Sequence, residues 1–210
     1  MPSDVLVKVC GVTRATDAEA AVEAGADAVG LMFYEPSRRW VSLERAREVA
    51  ARLPVRVERV GVFVDADERT IRKAIEVCAL SILQFHGSES PEFCARFAPL
   101  KVWKGFRVSD VSVLETMPGF ATEAWLLDAA VPGQMGGSGQ RFDWELAVRA
   151  KALGRPIVLA GGLTPENVGE AVKRVRPFAV DVSSGVESAP GVKDGAKMRA
   201  FVRTAKGIRP

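Results

Sequence analysis

The sequence predicts an α/β fold of one particular kind, a single-domain (β/α)8 TIM barrel over residues 1–210. Three observations lead there. Short apolar runs alternate with stretches whose apolar residues recur at i, i+3, i+4 and i+7, and the alternation repeats eight times. The apolar runs lack the polar alternation of a half-exposed sheet, so their strands belong to a parallel sheet covered on both faces. No G-x-G-x-x-G follows the first run, so the rival open, doubly wound sheet has no dinucleotide signature behind it.

The elements follow in order. Val5 to Cys10 is the first strand, and Asp17 precedes a helix with Ala18, Ala21 and Val22 inward, stopped by Gly25. Ala28 to Phe33 is the second strand. After the polar loop EPSRRW, Ser42 opens a helix carrying Leu43, Ala46, Ala50 and Leu53. Arg59 to Val64 is strand three, and Ile71, Ala74, Ile75 and Cys78 mark the face of its helix. Ser81 to Phe85 is strand four. Ser90 and Pro91 then sit at N-cap and first-turn positions of a helix with Phe93, Cys94 and Phe97. Leu100 to Lys104, a helix near Asp110–Thr116, Trp125 to Asp128 and a helix from Asp143 continue the pattern. Pro156 to Leu159 is strand seven, Thr164 and Pro165 read as N-cap and first residue of the next helix, and Val168, Ala171, Val172 and Val175 form its apolar face. Phe178 to Val182 is the last strand, followed by a helix with Met198, Phe201, Val202 and Ala205 inward.

Bulk properties exclude several classes. With 48% apolar and 26% charged residues, the chain reads as a soluble globular protein. Its net charge of +3 is interspersed, leaving no basic stripe for nucleic acid. No apolar run approaches the roughly 18–20 residues of a membrane helix. MPSDVLVKVC runs almost straight into a strand without signal-peptide form, and a cytoplasmic home is expected. Three unevenly spaced cysteines and one histidine suggest neither a disulfide frame nor a metal site. A monomer and a homodimer both remain open.

In such a barrel the chemistry sits at the C-terminal ends of the strands. Those positions are Cys10, Phe33, Asp65, His86, Lys104, Asp128, Gly161-Gly162 and Ser183-Ser184. Cys10 stands apart from Cys78 and Cys94, which fall on apolar helix faces where a thiol is a small hydrophobe. Lys8 shares a strand face with Cys10, and a buried lysine requires a partner; Asp181 on the last strand is the expected one. Asp128 ends a strand and precedes the glycine-rich AAVPGQMGGSGQRFDW, an arrangement suited to a general acid under a lid. Arg38 and Arg39 offer a planar fork to a carboxylate or phosphate. His86 reads equally as an orienting residue and as a catalytic one. The loops after the last two strands, with Gly161, Gly162, Ser183, Ser184 and Gly185, let backbone N–H groups approach a phosphate closely.

With these residues in place, the sequence resembles the phosphoribosylanthranilate isomerase family. The resemblance rests on KVCGVTR (8–14), GADAVGLMF (25–33), SRRWV (37–41), GVFV (61–64), QFHG (84–87), LLD (126–128), GGSG (136–139), FDW (142–144), AGGLTPENV (160–168) and RPFAVDVSSGVESAPGVKD (176–194). These fall in family order along nearly the whole chain; 105–123 is the poorest match. The resemblance implies an Amadori rearrangement of a small phosphoribosyl substrate without metal or cofactor. It implies Cys10 as general base and Asp128 as general acid, Arg39 (less securely Arg38) on the anthranilate carboxylate, and phosphate near Gly162 and Ser183–Gly185. Gly161 and Asp181 join the substrate-binding set, with Lys8, Arg38, His86 and Gly137 as secondary positions. Free thiols titrate near ~8.5 and free aspartates near ~3.9. The expectation is therefore that burial raises Asp128 while Lys8 or another cation lowers Cys10. Two rivals stand beside this reading: the related histidine-pathway isomerase, which looks to use paired aspartates, and a non-catalytic sugar-phosphate binder.

Overall fold

The computed structural model describes residues 5–108, 111–129 and 144–207. Eight parallel strands close on themselves, each bonded to its neighbour in sequence, and β1 (Leu6–Cys10) bonds to β8 (Ala179–Val182). Between them run β2 (Ala28–Met32), β3 (Glu58–Phe63), β4 (Ile82–Phe85), β5 (Lys101–Val108), β6 (Ala124–Ala129) and β7 (Ile157–Leu159). The helices are α1 (Ala15–Glu23), α2 (Leu43–Ala50), α3 (Glu68–Cys78), α4 (Pro91–Ala95), α5 (Val113–Thr116), α6 (Trp144–Lys151), α7 (Val168–Val175) and α8 (Gly195–Gly207). Among the described residues no helix is long and apolar enough to cross a membrane.

Strand periodicity divides the buried residues into two layers. Val60, Val62, Ile82, Trp103, Leu126 and Val158 belong to the inner layer and fill the barrel interior. The alternate positions, such as Val7, Val9, Leu31 and Leu127, pack outward beneath the helices. Phe85, fully buried on β4, meets Phe93 and Phe97 with ring centroids 5.7 and 5.3 Å away. The helical spacing that predicted α4 therefore reports a face seated on the barrel wall.

Local chemistry sets several boundaries. Ser42, Asp67 and Ser90 each accept a hydrogen bond from the third backbone N–H of their helix, at 3.2, 2.9 and 3.2 Å. Four expected boundaries need correction. Asp17 does not precede α1 but lies buried in its first turn, gripped by Arg14 at 2.6 Å. The helix expected from Thr164 begins as a separate turn: Asn167 Oδ1 accepts from Thr164 N at 2.8 Å, and α7 proper starts at Val168. Lys104 does not end β5, which runs on to Val108. The helix near Asp110–Thr116 is confined to Val113–Thr116 among the described residues. A further hairpin, β9 (Glu187–Ala189) with β10 (Val192–Lys193), had no counterpart in the expected elements.

Candidate active site

Cys10, His86 and Asp128 are contributed by β1, the end of β4 and β6, at the C-terminal end of the barrel. Parity along the strands turns each of them inward, because Lys8, Gln84 and Leu126 two residues earlier are interior. Cys10 is only 6% exposed. A Cβ at Gly30, on the adjoining strand, would lie 2.8 Å from its sulfur and 3.1 Å from Lys8 Cε. Gly30 thus leaves the space that the thiol and the lysine stem occupy.

Beneath the thiol, Lys8 Nζ donates to Asp181 Oδ1 at 2.8 Å, the pairing anticipated from strand alternation. Burial works against the Lys8 ammonium, but Asp181 and Cys10 outweigh it and hold its pKa above the usual lysine value. The thiol goes the other way from expectation. Burial, aided by Asp181, raises Cys10 above the ordinary thiol range despite the opposing pull of Lys8 and Lys193. In the resting protein Cys10 is therefore a protonated thiol at neutral pH.

Asp128 Oδ2 lies 3.3 Å from His86 Nε2. Gln84 Nε2 stands 3.2 Å from the other ring nitrogen, Nδ1. Gly105 admits the ring, since a Cβ there would fall 2.5 Å from Nδ1. The only histidine of the chain is thus set between an amide and a carboxyl group.

The arginine fork is already engaged. Arg39 Nε and Nη2 donate to the two oxygens of Glu187, both at 2.7 Å, and Nη1 has no hydrogen bond among the described residues. The stem of Arg39 crosses Gly11, where a Cβ would meet its Cδ at 2.5 Å, so the fork stands beside Cys10. Arg38 is exposed. Glu187 also accepts from Lys193 Nζ at 2.8 Å, and Lys193 donates to Ser183 O at 3.1 Å. Ser183 Oγ in turn donates to the Cys10 carbonyl at 3.1 Å. Burial depresses Lys193, while Arg39 and Lys193 keep Glu187 below the usual carboxylate range in spite of burial. Sequence reasoning assigned no role to Glu187 or Lys193. The one available signal was two opposite charges six residues apart in a segment of small residues, GVESAPGVKD.

Gly161 and Gly162 have φ of 82° and 65°, which side-chain-bearing residues rarely adopt. A Cβ at Gly185 would collide with the Leu163 carbonyl, so the loops after β7 and β8 form one continuous surface. Asp65 and Lys104 serve the frame instead. Asp65 Oδ1 accepts from Ser88 N at 2.6 Å, and Lys104 Nζ pairs with buried Glu89 at 3.1 Å. Gly137 and all but the end residues of the lid segment expected over 129–144 lie outside the described residues. Among the described residues there is no cluster of three or more metal-ligating side chains.

Comparison with known proteins gives one consistent result. The family model for N-(5'-phosphoribosyl)anthranilate isomerase matches residues 7–204. The enzyme of that name from Geotalea uraniireducens is 50% identical, over 96% of this chain and 98% of its own length. The crystal structure of phosphoribosyl anthranilate isomerase from Thermotoga maritima superposes with a TM-score of 0.91 at 44% identity, covering 97% of this chain and all of that one. A structure of the isomerase in complex with reduced 1-(o-carboxyphenylamino)-1-deoxyribulose 5-phosphate has a TM-score of 0.87 at 42% identity, with coverage of 97% and 100%.

Proposed function

Because the chain belongs to the N-(5'-phosphoribosyl)anthranilate isomerase family, we propose that Cys10 and Asp128 are its proton-transfer pair. The enzyme catalyses the Amadori rearrangement of N-(5-phosphoribosyl)anthranilate to 1-(2-carboxyphenylamino)-1-deoxyribulose 5-phosphate, an aldose–ketose isomerisation in tryptophan biosynthesis. The family match favours this substrate over the histidine-pathway aminoaldose, and catalysis over mere sugar-phosphate binding. One observation supports the assignment of residues: a thiol at the last position of β1 and a carboxyl group at the next-to-last of β6 fall on inward positions at the same mouth.

Asp128 protonates the furanose ring oxygen, and the ring opens to an iminium ion. That cation acidifies the C2 hydrogen, which Cys10 removes as the thiolate; the enolamine then tautomerises to the ketone. Burial favours the protonated thiol at rest, so the reactive form is the fraction that has released its proton to solvent, and a positive iminium beside it favours that anion at the step that needs it. Arg39, steadied by Glu187, presents Nη1 to the anthranilate carboxylate. The phosphate rests on backbone N–H groups near Gly161, Gly162 and Ser183–Gly185, which bring it close without intervening side chains. Ser183 contributes there through its backbone, since its hydroxyl is engaged by Cys10 O. Asp181 acts from below, through Lys8.

The test is the decay of phosphoribosylanthranilate fluorescence. Cys10→Ala and Asp128→Asn should each lower kcat by at least ~10²-fold, the size of a lost proton-transfer group. Near-full kcat in either variant removes that residue from its role.

A further inference from the structure

Gln84 lies two residues before His86, on an inward position of β4, and is 2% exposed. We propose that Gln84 is a positioning residue that fixes the tautomer of His86, so that the ring presents an N–H at Nε2 to Asp128. The inference rests on the reading of Asp128 as general acid and adds what stabilises the carboxylate left once its proton has gone to the substrate.

The argument concerns donors and acceptors. A neutral imidazole carries one N–H and one lone pair, so whatever Nδ1 does determines Nε2. Gln84 Nε2 faces Nδ1 at 3.2 Å, and an amide nitrogen only donates. Nδ1 must therefore accept, and Nε2 bears the hydrogen, 3.3 Å from Asp128 Oδ2. Catalytic hydrogen bonds in a ligand-free protein are commonly long and tighten around substrate.

A second residue explains why the amide faces that way. Gln84 and Trp103 occupy paired positions on β4 and β5, and both side chains are buried inside the barrel. Gln84 Oε1 and Trp103 Nε1 are the two buried side-chain polar atoms without a partner among the described residues, one an acceptor and one a donor. Turning the amide over would leave only donors in that part of the interior, the amide NH2 and the indole N–H. The buried indole thus favours the orientation in which the oxygen stays inside and the nitrogen meets His86. Gly105 leaves the space that the Nδ1 edge of the ring occupies.

The consequence for catalysis follows from charge. When the Asp128 carboxyl group gives its proton to the ring oxygen, negative charge develops on the carboxylate. An N–H at Nε2, 3.3 Å from Oδ2, stabilises that charge more than it stabilises the neutral acid. In the opposite tautomer the Nε2 lone pair would accept the Asp128 proton and withhold it from substrate. His86 keeps its own proton throughout, so the proton count of the rearrangement is unchanged.

The chain has one histidine, so 15N labelling yields a single imidazole spectrum. The wild-type protein, without substrate, should show a protonated Nε2 and an unprotonated Nδ1. Gln84→Met removes the donor, and the ring should become a mixture of tautomers, with kcat lowered at least about tenfold and KM within about twofold of wild type. Gln84→Glu places an acceptor against Nδ1 and should shift the hydrogen there, with a larger loss of kcat. A wild-type ring protonated at Nδ1 overturns the proposal, whether or not either variant folds. So does a folded Gln84→Met that keeps its kcat. If Asp128→Asn retains activity, the acid assignment fails by itself, and the imidazole spectrum still reports what Gln84 does.

Discussion

Replacing Asp181 by Asn tests how the floor of the site is held together. Lys8 is fully buried and its ammonium reaches Asp181 Oδ1 at 2.8 Å, while the Asp181 side chain is 9% exposed. Asparagine keeps the shape but removes the charge, leaving an ammonium buried without its counter-ion. Removing one member of a buried pair costs about 3–5 kcal/mol. In a chain of this length that corresponds to a fall in Tm of roughly 6–20 °C. The worth of the pair itself is a separate matter, because both charges were desolvated to form it. The double variant Lys8→Met/Asp181→Leu should therefore recover most of the loss, as apolar replacement of a buried ion pair is often neutral. The pH dependence has a definite sign. Lys8 has a raised folded pKa, so its stabilisation is complete below the ordinary lysine pKa and is lost only as pH rises through the folded value. In Asp181→Asn the burial that opposes the Lys8 charge is no longer outweighed by Asp181, so the variant sheds that proton more readily and its gap from wild type should narrow as pH rises. Urea and thermal unfolding followed by circular dichroism measure all three proteins. A single variant melting within about 1 °C of wild type, or a double variant no better than the single, refutes the reasoning.

Three further outcomes follow from the same geometry. The Cys10 thiol sits above the ordinary range and the base is its thiolate, so kcat/KM should climb with pH beyond neutrality; a profile flat across that limb, with chemistry rate-limiting, contradicts the assignment. Gly30→Ala puts a methyl 2.8 Å from the Cys10 sulfur, and overpacking of this kind costs about 1–3 kcal/mol, read from the urea midpoint; unchanged stability and activity would mean the wall is softer than drawn. Burial tends to raise Glu187, yet Arg39 and Lys193 hold it low, so its stabilisation is present above the ordinary carboxylate range and disappears as pH falls through its folded pKa. Glu187→Gln should accordingly weaken the protein at neutral pH and flatten its acid limb, and should raise KM more than it lowers kcat through a loosened Arg39. An unaltered KM would separate Glu187 from substrate binding.

The elements were legible because each carries a local mark. Ile71, Ala74 and Cys78 announce α3, and all three are buried. Ser90-Pro91 announces α4 and caps it. Lys8 and Asp181 could be paired in advance because strand parity and closure between the first and last strands put both inside. Thr164-Pro165 misled, because Asn167 Oδ1 captures the Thr164 N–H and closes a turn before the helix begins. Lys104 misled because charge inside a barrel strand looks, in sequence, like the end of that strand; Glu89 pairs with it from the loop after β4. The hairpin of Glu187 and Lys193 carries no periodicity, being too short for one.

What the residues determined by themselves was the alternation of strand and helix, the closure it implies, and which thiol and which carboxyl group stand at strand ends. Those properties depend on neighbours a few positions away. What the tertiary structure decided was the surroundings of each group: that burial raises the Cys10 thiol, that Arg39 already holds Glu187, and that His86 lies between Gln84 and Asp128. Electrostatics and hydrogen bonding act across a few ångströms of space, and in a closed barrel those few ångströms join residues up to 181 positions apart in the chain.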